Sequence, residues 1–334
     1  MSVVEFSLNL KTPIWPGGEQ YVEDNIMNRI QQLGRMVSIF IASSILLLGG
    51  VKTTEAQPVV HGYNNGPIWE VKSDTNTVYL LGSLHILNPS YYPLTRSFYY
   101  AYYDSPNIVF EVDANLLNSK SFPKRLLKKG TYPKGQSLKK NLSRKSYQLL
   151  SQRFKTFGVN LRKVNHYKPW LLYLMHYQSQ ALKLGYAGAY GVDNHFFRKA
   201  MAVGKKISGL ESIDYHISVL DRLSPKTQET LLLETIKEPK EFGREFKKLV
   251  KTWHAGDVED LEFVVEDFKD NPEVHKILIQ ERNEKWFPQI QSFLTKKENY
   301  LVIVGAAHLV GDEGLVKMLL ENGYDVRRMD HVLP

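Results

Sequence analysis

Two apolar runs, more than two hundred residues apart, end in the same sequence pattern. The first reads Tyr79-Leu-Leu-Gly82-Ser-Leu-His85, and the second reads Ile303-Val-Gly305-Ala-Ala-His308. Short apolar runs of this kind predict buried strands, and a glycine at the end of a strand lets the chain turn sharply. Open α/β sheets bind their ligands at the carboxyl ends of the strands. The two motifs therefore predict two strands of one sheet that bring both histidines to that edge.

The chain from Pro67 onward alternates apolar, β-rich runs with helical patterns. Strands are predicted over residues 78–81, 107–112, 206–211, 301–304 and 324–329, the last one at an edge of the sheet. Helices are predicted over residues 94–103, 191–203 and 311–322, with longer helical stretches over 119–185 and 212–295. We predict an α/β fold with a mostly parallel central sheet, built from two pseudo-repeated halves and carrying a long helical insertion.

The amino-terminal segment has the pattern of an export signal. Residues 37–51 form an uncharged apolar run, Arg29 and Arg35 precede it, and Thr54-Glu-Ala56 follows with small residues at a cleavage-site spacing. The run is shorter than the roughly 20 residues that span a bilayer comfortably. We expect an exported protein, whether periplasmic, extracellular or membrane-anchored. A cleaved signal peptide and a retained anchor with membrane association through residues 37–51 are both open.

These patterns divide the chain into three parts. Residues 1–26 have no hydrophobic period, and we predict a disordered leader or a start-site artefact there. Residues 27–56 are predicted to be the signal peptide or membrane anchor, which places a mature amino terminus near Gln57. Residues 57–334 are predicted to form the α/β domain.

The absence of cysteine limits the chemistry available to this chain. Disulfides, thiolate metal sites and a cysteine nucleophile are all excluded. A metal ion would have to be held by His, Asp and Glu. A nucleophile would have to be Ser, Thr or an activated water.

The positive net charge of +8 comes partly from one stretch of the chain. Between Lys120 and Lys168 there are many Lys and Arg and no acids. Such a stretch can bind nucleic acid or an anionic membrane surface, but a solvated helical face is the simpler expectation. Because zinc-knuckle spacing, an RNA-binding aromatic signature and a phosphate-binding glycine loop are all missing, we expect no nucleic-acid partner.

Carboxylates follow two further predicted strands. Glu111 and Asp113 stand two residues apart and share one face of an extended segment, and Glu211 follows Gly209-Leu210. Burial of Glu111 after an apolar run is costly unless it binds a metal or a base, whereas Asp113 and Glu211 could equally be helix N-caps. Nitrogen and oxygen ligands without thiolate suit Zn²⁺, Mn²⁺, Fe²⁺ or Co²⁺, and such an ion can activate water.

Several further motifs accompany the two Gly-x-x-His motifs in a characteristic order. In this order and spacing the chain resembles the TraB/GumN family from about Gly66 to Met329, and that family is similar to the Tiki metalloproteases and to the erythromycin-esterase/ChaN-like fold. The accompanying motifs are Phe110-Glu-Val-Asp113, Gly191-Val-Asp193, Gly209-Leu-Glu211, Trp253 with Gly256-Asp257, Glu281-Arg-Asn283 and Gly305-Ala-Ala-His-Leu-Val-Gly311.

The resemblance implies a divalent-metal site and hydrolase activity, in particular on peptides. It implies His85, His308 and Glu111 as the metal ligands. It also implies that Arg282 and Asn283 point from a helix to the site, where they hold carboxylates or polarise a substrate carbonyl. A supporting role in a buried salt bridge is the equal alternative for these two residues.

Three functions are compatible with these residues. The first is a metal-dependent hydrolase acting on a peptide or other small substrate, with Glu111 or Glu211 as the base toward water. The second is a binding protein that sequesters a peptide, a metal or haem without turnover. The third is a metal-independent esterase with His85 as the base, in which Ser83 is a conceivable nucleophile. The missing Gly-x-Ser-x-Gly motif counts against this third function.

Overall fold

A six-stranded sheet forms the centre of the molecule, with the strand order β4-β3-β5-β2-β1-β6. The computed structural model describes residues 66–329 except residues 118, 120, 235, 237, 238 and 270. The predicted leader and signal segment, including the apolar run at 37–51, lie outside the described residues. The strands are β1 (Ile68–Lys72), β2 (Thr77–Ser83), β3 (Asn107–Val112), β4 (Lys206–Glu211), β5 (Tyr300–Gly305) and β6 (Asp325–Arg328).

Four neighbouring strands of the sheet run parallel. β5 is parallel to both β2 and β3, and β3 is parallel to β4, whereas β1 is antiparallel to β2 and to β6. β3 is buried along its whole length, and β2 and β5 are buried beyond their first residue. This burial explains their continuous apolar runs, because a parallel sheet is covered on both faces. The register pairs Gly82 with Val304 and Ser83 with Gly305, so the two Gly-x-x-His motifs leave the sheet side by side.

Apart from the short turn between β1 and β2, helices fill the connections between the strands and confirm the predicted α/β class. The bounds of the α-helices are α1 (Arg96–Asp104), α2 (Ala114–Leu117), α3 (Phe122–Gly130), α4 (Leu138–Asn141), α5 (Arg144–Thr156), α6 (Pro169–Lys183), α7 (Val192–Ala202), α8 (Ile213–Asp221), α9 (Pro225–Glu234), α10 (Pro239–Ala255), α11 (Val258–Lys269), α12 (Pro272–His275), α13 (Glu281–Phe293) and α14 (Leu315–Glu321). Short 3₁₀ turns lie at Pro89–Tyr91, Leu161–Val164, Gly188–Tyr190 and Ala306–His308, and a π-helix lies at Lys276–Gln280.

The helical insertion between β3 and β4 consists of several helices, α2 to α7, and a second helical block from α8 to α13 separates β4 from β5. The last helix begins later than the sequence pattern predicts. Gly311 has a φ of +81°, which a helix does not allow, so α14 begins only after Gly314. The two pseudo-repeated halves stay a prediction. Within the described ranges, no helix is both long and apolar enough to cross a membrane.

β4 approaches the end of β3 closely at Gly209. A Cβ atom at Gly209 would lie 2.2 Å from the backbone nitrogen of Asp113 and 2.6 Å from the carbonyl carbon of Val112. Both neighbours are backbone atoms, so they cannot rotate away. A side chain at this position would therefore force the two strands apart.

We predict that Gly209→Ala lowers the free energy of unfolding by about 1–3 kcal/mol, the usual cost of overpacking. Gly243→Ala, within α10, is the matched control. A Cβ atom at Gly243 would contact only the side chain of Leu184, at an ordinary van der Waals distance of 3.4 Å. In a helix interior this change should instead stabilise the protein by up to about 1 kcal/mol. Urea denaturation measures the free energy of unfolding of both variants. A Gly209→Ala variant that is as stable as the Gly243→Ala variant would contradict the close approach.

Candidate active site

The carboxyl ends of four parallel strands lie next to one another at one edge of the sheet. His85 follows β2, His308 follows β5, Glu111 lies on β3 and Glu211 ends β4. Because β2, β5, β3 and β4 are consecutive neighbours in the sheet, these four side chains come from adjacent strand ends. The edge that the two histidine motifs predicted therefore also holds both glutamates.

Arg282 joins three of these strand ends. Its Nη2 donates to Glu111 Oε2 at 2.6 Å and to Glu211 Oε1 at 2.9 Å, and its Nε donates to Glu211 Oε2 at 3.1 Å. Nη1 donates to Nε2 of His308 at 3.0 Å. The side chain is 1% exposed. Burial by itself lowers the pKa of Arg282, but the two carboxylates outweigh it and raise the pKa above its usual value. The guanidinium is thus a permanent buried charge.

Trp286 supports this guanidinium from the same helix. It lies one turn after Arg282 on α13, and the Arg282 guanidinium carbon is 4.4 Å from the centre of its ring. The His308 ring lies 4.4 Å from Trp286, centre to centre. Cation–π attraction of this kind strengthens when the pair is desolvated. The helix therefore supplies both the cation and the aromatic face against which it rests.

Glu111 is held at both of its oxygens. Oε2 accepts from Arg282, and Oε1 accepts the backbone N–H of Gly305 at 2.8 Å. Gly305 is the glycine of the second histidine motif, so this motif contributes a backbone donor as well as an imidazole. Oε1 also lies 3.6 Å from Nε2 of His85. The carboxylate therefore stands between the two histidine motifs.

His85 is oriented by a carboxylate that the sequence analysis quoted but gave no role. Its Nδ1 lies 2.9 Å from Oδ2 of Asp193, in the first turn of α7. Because an ionised carboxylate only accepts, Nδ1 carries the hydrogen. Nε2 is buried and has no hydrogen-bond partner among the described residues. Burial by itself lowers the pKa of His85, but Asp193 and then Glu111 raise it above the ordinary value.

The approach of α7 to His85 depends on a glycine. A Cβ atom at Gly191 would lie 2.2 Å from the carbonyl oxygen of His85. The backbone N–H of Val192 donates to the carbonyl of Leu84 at 3.0 Å. The motif Gly191-Val-Asp193 thus lets the helix start against the first histidine motif and places its carboxylate next to the imidazole.

Ser83 does not form a serine–histidine pair. Its hydroxyl donates to Oδ1 of Asp193 at 2.6 Å, on the carboxylate that also binds His85 Nδ1. A serine nucleophile activated by a histidine would instead donate to the imidazole. The hydroxyl therefore helps to orient Asp193, and this geometry lends no support to the esterase function.

His308 is oriented by an amide in the way that His85 is oriented by a carboxylate. Its Nδ1 lies 2.7 Å from Oδ1 of Asn283, whose Nδ2 donates to the carbonyls of His308 and Glu313. These two carbonyls assign the amide orientation, so Nδ1 carries the hydrogen and Nε2 accepts from Arg282. Burial, then Arg282 and His85, lower the pKa of His308 well below its usual value. The imidazole is neutral.

His216 is a site residue that the sequence analysis missed. It lies in α8, and its Nδ1 is 2.7 Å from Oε1 of Glu211. Ligand atoms of Glu111, Glu211 and His216 all lie within 4.8 Å of one another. No repeated motif marks His216. The only signal is its place one helical turn after a strand-end glutamate.

The structure brings all the predicted site residues, His85, Glu111, Glu211, Arg282, Asn283 and His308, into one hydrogen-bonded and ion-paired cluster. Asp113 lies apart from it, since its Oδ1 accepts the backbone N–H of Asn115 as a local cap. That one ion bridges both histidines and Glu111 stays a prediction.

The fold and the site define an α/β protein whose parallel sheet carries a buried cluster of histidines, glutamates and one arginine at its carboxyl edge. The chain belongs to the TraB/PrgY/gumN family, whose model matches residues 67–328.

Relatives of the chain include two bacterial proteins without an assigned activity. The uncharacterized protein YbaP of Escherichia coli (strain K12) is 21% identical over 241 residues, which cover 72% of this chain and 87% of YbaP. An uncharacterized protein of Treponema pallidum (strain Nichols) is 21% identical over 208 residues, which cover 60% of this chain and 61% of that protein. No solved structure is significantly similar to the chain.

We predict that Arg282→Met lowers the free energy of unfolding by about 3–5 kcal/mol, because two buried carboxylates lose their counter-charge. Arg222→Met is the control, since Arg222 pairs with Glu281 where both side chains are partly exposed. Exposed pairs contribute about 0–1 kcal/mol. Urea denaturation at neutral pH gives both values. A loss below about 1 kcal/mol for Arg282→Met would contradict its role as the counter-charge of the site.

We also predict that acid destabilises the protein through Glu211. Burial by itself raises the pKa of Glu211, but Arg282 and His216 lower it to about 2, from 4.5 in the unfolded chain. A carboxyl with a depressed folded-state pKa stabilises the protein above pH 4.5 and loses this contribution as the pH falls toward 2. Glu211→Gln should therefore show a shallower fall of unfolding free energy across this window. Identical slopes for both proteins would contradict the assignment.

Proposed function

We propose that this protein is an exported, divalent-metal-dependent hydrolase that acts on a peptide or other small substrate through an activated water. The observation that carries the proposal is the buried Nε2 of His85, which has no hydrogen-bond partner among the described residues, while Asp193 holds its Nδ1. Histidines that bind metals commonly donate their other ring nitrogen to a carboxylate or a carbonyl oxygen in this way.

The donor types suit a divalent ion, although the group whose ligand atoms all lie within 4.8 Å of one another is Glu111, Glu211 and His216. His85 and His308 both have the hydrogen on Nδ1, and both present Nε2 toward the cluster that contains Glu111. The residues that would hold the ion are His85, His308 and Glu111. His308 Nε2 would first have to release the N–H of Arg282. Imidazole and carboxylate without thiolate suit Zn, Mn, Co or Fe.

A bound ion of this kind supplies a Lewis acid and lowers the pKa of water. The chain's own groups have separate tasks. Arg282 keeps Glu211 ionised, and a carboxyl with a pKa near 2 is a weak base. Glu111 is the better candidate for proton acceptor or ligand, through the second lone pair of Oε1, because Oε2 is bound to the Arg282 cation while Oε1 accepts the neutral N–H of Gly305. Asp193 and Asn283 orient the two imidazoles.

For the second function, sequestration of a peptide, metal or haem without turnover, one observation favours the capture of a metal ion. The cluster is almost closed to solvent, with His85 at 3% exposure, Glu111 at 5% and His308 at 0%. A hydrolase has to admit substrate and water to such a site through an opening motion. A protein that only holds an ion or supports the fold does not.

We predict that His85→Ala and His308→Ala each remove bound metal and hydrolytic activity together, with a rate loss of several powers of ten. His195→Ala is the matched control, because His195 lies on α7 near Asp193 but contacts Tyr92 and Tyr99 instead of the cluster. Elemental analysis of purified protein and digestion of a peptide library are the two measurements.

Glu111→Gln separates the roles of the carboxylate. As a base its loss costs about 10²–10⁴-fold in rate with the metal retained. As a ligand its loss lowers the metal content too. Full metal content and full turnover in both histidine variants would remove the proposed site, whereas bound metal without turnover of any library peptide by the wild-type protein would make sequestration the better proposal.

A further inference from the structure

The helical segment between β3 and β4 has a charge opposite to that of the rest of the chain. Residues 114–192 contain sixteen Lys and Arg and no Asp or Glu. The rest of the chain, with 27 Lys and Arg and 35 Asp and Glu, has a net charge of −8. Solvated surfaces of soluble proteins intersperse both signs, whereas a segregated field attracts an oppositely charged partner. The segment therefore has more positive charge than a solvated helical face requires.

Part of this charge is gathered where two short turns meet at Asn165. The backbone N–H of Lys139 donates to Asn165 Oδ1 at 2.9 Å, and that of Leu138 donates to the Asn165 carbonyl at 2.7 Å. Asn165 directly follows the 3₁₀ turn Leu161–Val164, so α4 lies beside that turn. The basic residues that this contact brings together are Lys134, Lys139, Lys140, Arg162 and Lys163, which we call the basic cluster.

The basic cluster has no acidic counter-charge. All five side chains are exposed, and within the described part of the chain none of them forms an ion pair. The acids that reach this segment have other partners: Asp214 pairs with Arg125, Asp221 pairs with Lys129 and Lys168, and Glu229 accepts the backbone N–H of Ser143 at 3.3 Å. The cluster is therefore a positive surface open to an anionic partner.

Exposed leucines accompany the basic side chains of the same segment. Leu127 is 39% exposed and directly precedes Lys128 in α3, and Leu149 is 46% exposed one turn after Lys145 in α5. A phospholipid surface accommodates both kinds of side chain, because head groups pair with cations while the acyl boundary takes up leucine. Nucleic acid would also use aromatic rings that stack on bases, but the exposed ring of His166, which follows Arg162 and Lys163, already packs on Tyr167 at 4.0 Å between ring centres.

We propose that the basic cluster docks this domain onto an anionic phospholipid surface. The end of the helical segment that carries the basic cluster would face the lipid head groups. The proposal rests on charge complementarity and on the exposed leucines, and it is independent of the chemistry at the sheet edge.

Vesicle binding of the full chain tests the proposal. The variant combines Lys139→Glu, Lys140→Glu, Arg162→Glu and Lys163→Glu, and the control combines Arg244→Glu, Lys247→Glu, Lys248→Glu and Lys251→Glu on exposed positions of α10. Vesicles of phosphatidylcholine with and without phosphatidylglycerol are sedimented at low and high salt. The cluster variant should bind phosphatidylglycerol vesicles on the order of a hundred-fold more weakly than the control, and salt should weaken the wild-type protein.

Three results would overturn the proposal. The first is unchanged vesicle binding by the cluster variant, and the second is an equal loss in the control, since then only net charge matters. The third is a cluster variant that loses binding to a labelled oligonucleotide but not to vesicles, which would make nucleic acid the partner. Thermal melts confirm that each variant is folded, and a set of Lys→Gln and Arg→Gln changes at the same positions replaces any variant that is not.

Discussion

The site of this protein depends on the need to neutralise two glutamates that are buried at one edge of a sheet. Glu111 and Glu211 end neighbouring parallel strands, and each ion would be costly to desolvate alone. Arg282 neutralises both, with a bidentate contact to Glu211 and a single contact to Glu111. A guanidinium suits this task because it presents several donors in one plane and does not lose its proton. The position of α13 against the sheet follows from these contacts.

Different helices orient the two histidines in the same way. His85 is oriented by Asp193 from α7, and His308 is oriented by Asn283 from α13. In each case the partner accepts the hydrogen of Nδ1, so Nε2 turns toward Glu111 or Arg282. Backbone groups complete the arrangement: Gly305 donates to Glu111, and Trp253 of α10 donates to the carbonyl of Gly82 at 2.9 Å. The duplicated motif thus becomes a pair of preoriented imidazoles.

Charge is divided between two regions of the molecule. The sheet edge combines anionic and cationic groups in a dry cluster, where low polarity strengthens every contact. The helical segment after β3 instead exposes positive charge to solvent, where its effect reaches outward and depends on salt. The two features can be tested separately.

Much of the fold and of the site was readable in the sequence because the signals are local. The strands at 107–112 and 206–211 were predicted with the bounds that the structure has, since apolar runs and flanking breakers lie within a few residues. The start of α14 was predicted too early, because a helical period does not reveal that Gly311 takes a positive φ. The strand-end pattern sufficed to name His85, Glu111, Glu211 and His308 as site residues.

Only the tertiary structure decided which atoms meet. Arg282 and Glu111 are 171 positions apart, and His85 and Asp193 are 108 positions apart, so no local period relates either pair. His216 belongs to no recognisable motif. It becomes a site residue only because α8 begins two residues after Glu211, which brings its imidazole to that carboxylate. The sequence by itself determined which side chains could do chemistry at the strand ends. Docking of the helices onto the sheet determined their partners, because hydrogen bonds act over about 3 Å while sequence patterns extend only along the chain.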